Sequence, residues 1–382
     1  MRIGVNTLFA IPGEVGGTET YLRETLRAMA NHNSGHDLVL FTNLENDPVL
    51  RADLECSTRV EFVPMQFRAT NRANRVIREQ VQLPSIARRA RVDVLWSAGY
   101  TSPFTSHCPR VTTIHDMQYK SHPEDMNWLT RGVTGVLVKS AARRSRLVLA
   151  VSEFARAEIV RHTGIPAERV RVTLEAADSR FAADLDRRQA METVSAAGCL
   201  SGPYLLVVSN TYPHKNIETA VRAFGRLQGK IPHSLVIVGR SRRGEAGVEE
   251  AIRQLPDPSR VKRIQYVESG VLVSFYVAAD VFVFPSLYEG FGLPVLEAIT
   301  AGAPVVTGRF GSIPEAGGNA CVYVDSRSAD ALAEGIDAVL RWDTGTRARR
   351  VEQGRLFATG FSWSRTAART LVALEEAAGS SR

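Results

Sequence analysis

Residues 285–298, which read PSLYEGFGLPVLEA, follow the apolar run Val281–Phe284 and decide the fold of this chain. The β-branched and aromatic run predicts a buried strand, and Pro285 ends it. Pro294 suits the first position of a helix, where its missing N–H costs nothing. The stretch therefore predicts a strand, a glycine loop and the start of a helix, in that order.

The loop in this stretch is suited to bind a sugar nucleotide. Gly290 and Gly292 lack the Cβ atoms that would keep an anion away from the backbone N–H groups, and the helix dipole favours negative charge there. Glu289 and Glu297 can each accept two hydroxyl hydrogen bonds, so one acid suits a ribose diol and the other a transferred sugar. A purely structural role is the alternative, because glycine loops and acids near helix N-termini are common.

The sequence EGFGLPVLE, followed by AGAPVV at residues 301–306, resembles the E-x7-E element of retaining glycosyltransferases of family GT4. The resemblance runs from Tyr204 to Asp325 and is weaker in the first half of the chain. It implies an α/β protein of the GT-B fold, in which two Rossmann-like doubly wound domains face each other across a cleft. In that family the first acid binds sugar hydroxyls and the second binds the ribose, so Glu289 and Glu297 take these roles by resemblance.

A chain of 382 residues exceeds the size at which a single core keeps growing, which also favours two domains. The resemblance implies an N-terminal acceptor-side domain in residues 1–185 and a nucleotide-sugar domain in residues 200–360. A C-terminal helix in residues 361–382 is expected to pack back on the first domain. The composition change in residues 176–196 predicts the linker between them.

Composition limits the class of protein. A hydrophobic content of 44% and a charged content of 23% are typical of a soluble globular protein, and the net charge of +7 suits nucleic acid, anionic lipid or phosphate-bearing substrates equally. The N-terminus does not resemble a signal peptide, and the longest apolar stretch, residues 271–287, is too short to span a bilayer. Neither a zinc site nor a disulfide framework is indicated by the spacing of the four cysteines, Cys56, Cys108, Cys199 and Cys321. We expect a cytoplasmic protein.

The first half of the chain alternates strand-like and helix-like segments, which predicts a parallel α/β sheet. After the first strand, residues 2–6, comes a glycine loop that lacks the G-x-G-x-x-G fingerprint of dinucleotide enzymes. The GT4 resemblance implies that Gly16 and Gly17 touch the donor and that Thr18 lies on the acceptor side; a tight turn is the alternative. Further strands are predicted at residues 37–42, 60–64, 92–96, 111–114 and 147–151.

His115 and Asp116 end one of these strands, at the edge where open α/β sheets bind ligands. By resemblance His115 is a catalytic residue that contacts the donor sugar. Asp116 could orient the imidazole, cap the following segment or meet the acceptor.

The stretch 68–91 is strongly basic, and Glu79 is its only acidic residue. Its arginines are Arg68, Arg72, Arg75, Arg78, Arg88, Arg89 and Arg91. The spacing of the first four predicts one basic helical face. A solvated surface is one interpretation. The sharper interpretation is a contact with anionic lipid or with the phosphate of a lipid-linked acceptor, which would make the protein peripheral on the inner face of the plasma membrane.

The second half contributes further donor contacts by resemblance. Lys215 lies in a strand-to-helix loop and is implied to hold the donor pyrophosphate as a catalytic residue. Many family members have an arginine where this chain has Asn210, and Arg240 at the next strand end is a substitute cation. The remaining contacts implied in this half are Ser209 and, after a strand predicted at residues 263–267, the nucleobase contacts Tyr266 and Val267.

Departure of a nucleotide requires stabilisation of the growing negative charge by a metal or by fixed donors. Lys215 and the amides of Gly290, Phe291, Gly292 and Leu293 are such donors, so we expect a metal-independent enzyme without a cofactor. The resemblance implies retention of configuration, by a covalent Glu289 adduct or by attack on the face that the phosphate leaves. Among nucleotide sugars GDP-mannose is favoured, with UDP- and dTDP-sugars open. The expected reaction is transfer of mannose or rhamnose to a glycan or lipid-linked saccharide in surface polysaccharide biosynthesis.

Three other functions fit parts of the sequence. A GT-B nucleotide-sugar epimerase would act without an acceptor, and a nicotinamide-dependent dehydrogenase is disfavoured by the missing fingerprint. A non-catalytic sensor of sugar nucleotides, or a nucleic-acid binder, would use the basic charge. Because Glu289, Glu297 and Lys215 are all present, we expect an enzyme and no nucleic-acid partner.

Overall fold

The computed structural model describes residues 1–32, 34–182, 184–197, 200 and 202–379. Contacts between residues divide the chain into two compact units. The first contains Met1–Ala176 and the described residues from Ser362 onward, and the second contains Ala177–Phe361. The N-terminal segment of the first unit thus ends at Ala176, and the predicted boundary is residue 185.

The first unit is built around one parallel sheet. Its elements are β1 (Arg2–Asn6), α1 (Gly17–Asn31), β2 (Asp37–Thr42), α2 (Asp47–Asp53), β3 (Val60–Pro64), α3 (Arg72–Ile77), a π-helical turn (Arg78–Gln82), α4 (Leu83–Arg89), β4 (Val94–Ser97), β5 (Arg110–Ile114), α5 (Gln118–Ser121), α6 (Trp128–Arg144), β6 (Leu147–Ala150), α7 (Glu153–Thr163) and β7 (Val170–Val172). Among the described residues, the strands lie in the order β3-β2-β1-β4-β5-β6-β7, and every pair is parallel.

The second unit repeats this plan. Its elements are α8 (Arg187–Ala196), β8 (Tyr204–Val208), α9 (Ile217–Leu227), β9 (Ser234–Val238), α10 (Glu245–Arg253), β10 (Val261–Ile264), α11 (Ser269–Ala278), β11 (Val281–Phe284), α12 (Leu293–Ala301), β12 (Val305–Thr307), α13 (Ile313–Gly317), β13 (Cys321–Tyr323), α14 (Ala329–Leu340) and α15 (Thr344–Ala358). Over the described part of this unit the strand order is β10-β9-β8-β11-β12-β13, again all parallel. The last helix, α16 (Trp363–Ala378), belongs to the first unit, where it packs on α1.

Amphipathic helices cover these sheets. In α9 the buried residues Ile217, Val221, Phe224 and Leu227 recur every three or four positions and pack into a core with the apolar strands β8, β9 and β11. The strands are buried on both sides, which explains their nearly continuous valine, isoleucine and leucine content. The fold class therefore follows from the alternation of two patterns along the chain: apolar runs that form the strands, and segments of helical periodicity that form the helices.

Several sequence predictions need correction. The strand predicted at residues 263–267 is β10, Val261–Ile264, so Tyr266 and Val267 lie in the loop after it. Strands β7 and β13 were not predicted, because three residues each are too few to show an apolar pattern. Within the predicted linker, residues 187–196 form helix α8, whose buried Ala190 and Val194 pack it in the second unit.

The single basic face predicted for the stretch 68–91 is wrong. The Asn71 side chain caps α3 by accepting a hydrogen bond from the Asn74 N–H, so Arg68 lies outside the helix. Arg75 is half-buried and interacts electrostatically with Glu79, so it does not belong to an exposed basic face. The exposed arginines of the stretch are Arg68, Arg72, Arg88, Arg89 and Arg91.

The buried carboxylate of Glu79 explains why Arg75 does not point into solvent like its neighbours. Its side chain, in the π-helical turn, is 2% exposed and accepts hydrogen bonds from Asn6 Nδ2 at 2.9 Å and from Thr101 Oγ1 at 2.9 Å. Asn6 ends β1, so the carboxylate ties the turn to the centre of the first sheet. Burial raises the pKa of Glu79, and the charge of Arg75 opposes this shift.

The raised pKa of Glu79 predicts a pH dependence of stability. Above the ordinary carboxyl value of 4.5 and up to the raised pKa, the folded state binds more protons than the unfolded state, so stability falls as pH rises through this window. We expect Glu79→Gln to flatten this slope in denaturant unfolding measured at a series of pH values.

The exposed Glu55→Gln variant serves as the control, and its slope should equal that of the wild type. If Glu79→Gln and Glu55→Gln give the same slope, burial of the Glu79 carboxyl does not control this part of the pH profile.

Candidate active site

The second sheet has its topological switch point between β8 and β11. These strands are neighbours, but the chain goes from β8 towards β9 and from β11 towards β12, in opposite directions. In open parallel sheets ligands bind beside the carboxyl ends of the strands at such a point. The loops that leave there are residues 209–216 and residues 285–292, which contain Lys215 and Glu289.

Lys215 and Glu289 form a direct ion pair across this switch point. Lys215 closes a short 3₁₀ turn, Pro213–Lys215, and its Nζ lies 2.7 Å from Oε1 and 2.8 Å from Oε2 of Glu289. The two side chains are 19% and 11% exposed, so solvent screens the pair little. The structure therefore brings two predicted catalytic residues together, and their opposite charges neutralise each other.

The main chain of Glu289 is held by the loop that follows β12. Ser312 is fully buried and donates from Oγ to the carbonyl oxygen of Glu289 at 3.0 Å. Gly311 has a φ of +59°, and a Cβ added there would lie 2.8 Å from both N and O of Glu289. The ion pair thus fixes the Glu289 side chain and this neighbouring loop fixes its backbone.

The glycine loop ends at Gly292, whose φ of 98° is one that glycine adopts without strain. Helix α12 begins at the next residue, Leu293, so Pro294 is its second residue rather than its first as predicted. The Phe291 side chain is 3% exposed and meets Phe361 edge-on with ring centres 5.9 Å apart. Phe291 can accordingly offer a ligand its backbone but hardly its ring.

Glu297 lies in the second turn of α12 and contacts a tyrosine that the sequence analysis missed. The Tyr276 hydroxyl donates to Oε2 of Glu297 at 3.0 Å from a side chain that is wholly buried. Burial, and then the Glu297 charge, raise the pKa of Tyr276 well above its ordinary value, so the hydroxyl stays protonated. Tyr276 therefore acts as a fixed donor that orients the carboxylate.

The residues predicted to contact the donor at the ends of β8 and β9 also lie close together. Oδ1 of Asn210 accepts the Arg240 backbone N–H at 2.8 Å, and Ser209 Oγ donates to the Asn210 carbonyl at 3.2 Å. The Arg240 guanidinium lies 5.9 Å from the centre of the exposed Tyr266 ring, and Val267 follows in the same loop. The Asn210 side chain thus links the ends of strands β8 and β9. Arg240 and Tyr266 lie beside each other at this edge of the sheet.

The remaining predicted residues lie in the first unit. His115 is 5% exposed, with Nε2 3.0 Å from the Ala98 carbonyl and Nδ1 3.3 Å from Oε1 of Glu175. Asp116 accepts hydrogen bonds from the Tyr100 hydroxyl at 2.6 Å and from the Gln118 N–H at 2.9 Å. The Asp116 carboxylate thus holds the Tyr100 side chain and the backbone at the start of α5.

The glycine loop of the first unit leads directly into α1. Gly16 caps the helix with a φ of 57°, and Gly17 and Thr18 are its first two residues. Glu19 reaches back from this turn, and its Oε2 accepts the Gly13 N–H at 2.7 Å. The backbone here forms a tight turn at the helix N-terminus.

The described residues contain neither a metal-binding cluster nor a membrane-spanning helix. No group of three or more His, Cys, Asp or Glu side chains within them could hold a metal ion, and none of their helices is long and apolar enough to cross a membrane. The sequence contains an Asp-x-Asp pattern at Asp184 and Asp186, and Asp186 accepts the N–H groups of residues 188 and 189 as the cap of α8. Cys56, Cys108 and Cys321 are free thiols, and Cys199 lies outside the described residues.

Two family profiles together cover most of the chain. The profile of Glycosyltransferase Family 4 matches residues 15–178, and that of Glycosyl transferases group 1 matches residues 200–357. The chain is a family GT4 glycosyltransferase. The family and enzyme class expected from the E-x7-E element are thereby confirmed.

Curated relatives of this glycosyltransferase include bacterial mannosyltransferases. O-antigen chain mannosyltransferase B of Escherichia coli is 28% identical over 270 residues, which are 69% of this chain and 69% of that protein. The serotype-specific mannosyltransferase WbdA of Escherichia coli is 29% identical over 177 residues, which are 45% of this chain and 22% of WbdA. The chain thus corresponds to less than a quarter of WbdA.

The fold of the glycosyltransferase is GT-B. Anabaena Alr3699/HepE, whose crystal structure was determined in complex with UDP-glucose, superposes with a TM-score of 0.76 at 18% identity. The superposition covers 98% of this chain and 100% of that one. At this level of identity the likeness establishes the shared fold, as the sequence analysis expected.

Three residues of the glycosyltransferase escaped the sequence analysis. Tyr276 belongs to an apolar run that reads as core, Ser312 has a common residue type in a loop, and Glu175 follows a strand too short to recognise. Only Ser312 carried a usable signal, because it follows β12 at the carboxyl edge of the sheet. Each of the three is bonded to a predicted site residue.

Tyr276→Phe tests whether the buried hydroxyl orients Glu297. Loss of one hydrogen bond to a carboxylate should raise KM for the nucleotide-sugar donor by about three- to tenfold, with a smaller change in kcat. Steady-state kinetics with varied donor concentration measure both quantities.

Tyr204→Phe is the matched control, because Tyr204 is equally buried in the same unit and its hydroxyl donates to a backbone carbonyl, that of Phe275, at 2.8 Å. Equal rises in KM for both variants would show that Tyr276 acts only through general stability.

Proposed function

We propose that this glycosyltransferase moves mannose from GDP-mannose to a glycan or lipid-linked saccharide of a surface polysaccharide, with retention of configuration and without a metal ion. The observation that carries the proposal is the Lys215–Glu289 pair at the switch point, next to the Gly290–Leu293 amides and to Glu297 on α12. Together these groups offer a cation, an anion-binding backbone and a hydroxyl-binding acid within one edge of the sheet.

Stabilisation of the leaving nucleotide is assigned to Lys215 and to the N-terminus of α12. An ammonium group has three donors, of which the pair with Glu289 engages two, so Lys215 can meet a phosphate without leaving the carboxylate. The amides of Gly290, Gly292 and Leu293 precede or open a helix, whose dipole favours the negative charge that develops on the departing phosphate. These fixed donors support catalysis without a metal.

Glu289 is assigned to the hydroxyl groups of the transferred sugar. Both of its carboxylate oxygens face the Lys215 ammonium, and this makes them weaker nucleophiles than a free carboxylate. The pairing favours attack by the acceptor on the face that the phosphate leaves over a covalent Glu289 adduct. Either route retains the anomeric configuration.

Glu297 is assigned to the ribose. The Tyr276 hydroxyl donates to Oε2 and orients this carboxylate, and a carboxylate is the group that accepts hydrogen bonds from a diol. Arg240 and Tyr266 face each other at the ends of β9 and β10 and are assigned to the nucleotide end of the donor. In the first unit, His115 is assigned to the sugar, Gly16 and Gly17 to the donor, and Thr18 and Asp116 to the acceptor side.

The identity of the sugar is inferred from the relatives. Two curated relatives named above are mannosyltransferases, and one of them acts on O-antigen chains according to its name. Rhamnose, another hexose of surface polysaccharides, is the second choice. The exposed arginines of the stretch 68–91 are proposed to meet anionic lipid or an acceptor phosphate.

A thermal-shift series with GDP-mannose, UDP-glucose and dTDP-rhamnose tests the donor. A ligand that binds only the folded state raises the melting temperature, so GDP-mannose in the presence of EDTA should give the largest shift. Lys215→Ala and Glu297→Ala should each remove most of it. The anomeric coupling constant of a product formed on a mannose-terminated oligosaccharide then reports retention.

A larger shift with UDP-glucose would contradict the proposed donor. Binding or transfer that EDTA abolishes and manganese restores would contradict metal independence, and an inverted anomeric centre would contradict retention. Glu334→Gln, at an exposed position of helix α14 in the same unit, is a control that should leave the shift unchanged.

A further inference from the structure

Both ring nitrogens of His115 face oxygen atoms inside the first unit. Nε2 lies 3.0 Å from the carbonyl oxygen of Ala98, and Nδ1 lies 3.3 Å from Oε1 of Glu175. The histidine is 5% exposed and Glu175 is 4% exposed. The imidazole is therefore held between two oxygen atoms, and the carboxyl group beside it is buried as well.

These two contacts determine how many protons the imidazole and the carboxyl group hold together. A backbone carbonyl accepts hydrogen bonds and does not donate them, so Nε2 of His115 carries a hydrogen. In a neutral imidazole Nδ1 would then present a bare lone pair to the Glu175 carboxylate, and two acceptors without a hydrogen between them repel each other. The contact between Nδ1 and Oε1 is a hydrogen bond only when a second proton lies between them.

The other groups around the imidazole do not supply this proton. Tyr21 on α1 meets the ring edge-on with ring centres 4.8 Å apart, and the centre of the Tyr100 ring lies 5.4 Å away. Burial raises the pKa of Tyr21, so its hydroxyl stays neutral, and the Tyr100 hydroxyl donates to Asp116. Of the carboxyl groups in the described part of the chain, Glu175 alone is bonded to the imidazole.

The topology brings His115 and Glu175 to the ligand-binding edge of the first sheet. His115 directly follows β5 and Glu175 follows β7, with β6 between these parallel strands. Open parallel sheets bind ligands beside the carboxyl ends of their strands. A contact that joins two strand ends at this edge can therefore set the orientation of a side chain that meets a substrate.

We infer that Glu175 is a positioning residue for His115, which it holds by sharing one proton between Oε1 and Nδ1. A free imidazole binds a proton more tightly than a free carboxylate does, so the proton resides on Nδ1. The imidazole is thereby fixed with a hydrogen on Nε2, which can be donated to a sugar hydroxyl in place of the Ala98 carbonyl without a ring flip. The effect on catalysis rests on the proposed assignment of His115 to the sugar, whereas the proton count rests on the two contacts.

A purely structural role for Glu175 is the alternative, in which it only ties the segment after β7 to the end of β5. Two substitutions separate the interpretations. Glutamine has nearly the same shape as glutamate, and its amide N–H can donate to Nδ1 of a neutral imidazole. Glu175→Gln therefore keeps the hydrogen bond and removes the shared proton, whereas Glu175→Ala removes both.

The kinetic test compares pH profiles of kcat/KM, with the nucleotide sugar that gives the largest thermal shift as donor. In the wild type, loss of the shared proton at alkaline pH leaves two acceptors facing each other, so kcat/KM should fall there. Glu175→Gln should lower kcat/KM by about two- to threefold near neutral pH and should lack this alkaline fall. Glu175→Ala should lower kcat/KM about tenfold or more, because the imidazole loses a charged hydrogen-bond partner.

Nitrogen-15 NMR of the full chain with labelled histidine tests the proton count without any substrate. The signals of His115 are those that disappear in His115→Gln. At about pH 8, above the ordinary histidine pKa of about 6.5, both ring nitrogens of His115 should carry a hydrogen in the wild type. In Glu175→Gln only Nε2 should carry one.

Glu158→Gln is the matched control. Glu158 is 8% exposed in the same unit, and its Oε2 lies 3.3 Å from Nε2 of His162. This pair also joins a buried glutamate to a histidine, but His162 has no assigned role in the reaction. The pH profile and the His115 signals of Glu158→Gln should therefore equal those of the wild type.

Three outcomes would overturn the inference. These are a wild-type His115 with a single protonated nitrogen at about pH 8, an alkaline fall of kcat/KM that Glu175→Gln retains, and equal losses of activity in Glu175→Gln and Glu175→Ala. If the NMR result is as expected but Glu175→Ala transfers sugar as fast as the wild type, the shared proton stands and the assignment of His115 to the sugar is wrong. Glu175→Gln keeps the test valid if Glu175→Ala does not fold.

Discussion

The ion pair between Lys215 and Glu289 is the interaction on which the candidate site depends. Each side chain follows one of the two strands at the switch point of the second sheet, and each would leave a poorly solvated charge behind if the other were removed. Ser312 and Gly311 fix the backbone of Glu289. The buried Tyr276 orients the second acid of the site, Glu297, on the helix that follows the loop. A glycosyltransferase needs such preorganised donors where negative charge develops.

Both sheets have a topological switch point, but the polar residues beside it differ between the two units. In the first sheet the switch point lies between β1 and β4, and a buried acid, Glu79, is bonded there to Asn6 and Thr101. In the second sheet the corresponding position holds the Lys215–Glu289 pair, which is more exposed and open to exchange of partners. The first arrangement stabilises the strand ends, and the second leaves hydrogen-bonding capacity for a ligand.

Much of this organisation could be predicted from the sequence, because long apolar runs and the E-x7-E stretch are local signals. Strands β1, β2 and β3 and the order of strand, glycine loop and helix at residues 281–301 followed from such patterns. Features that depend on tertiary contacts could not be predicted. The inward turn of Arg75 requires a buried Glu79, and the role of Tyr276 requires α11 to pack beside α12, neither of which has a periodic signature.

The most direct test of the central claim is a double-mutant cycle on kcat/KM with Lys215→Ala, Glu289→Gln and the combined variant. If the two residues act as one unit, the combined variant will be no slower than the slower single variant, because the second substitution removes a partner that has already lost its function. If the two losses multiply instead, Lys215 and Glu289 contribute independently, and the pair seen in the structure is not the working arrangement of the site.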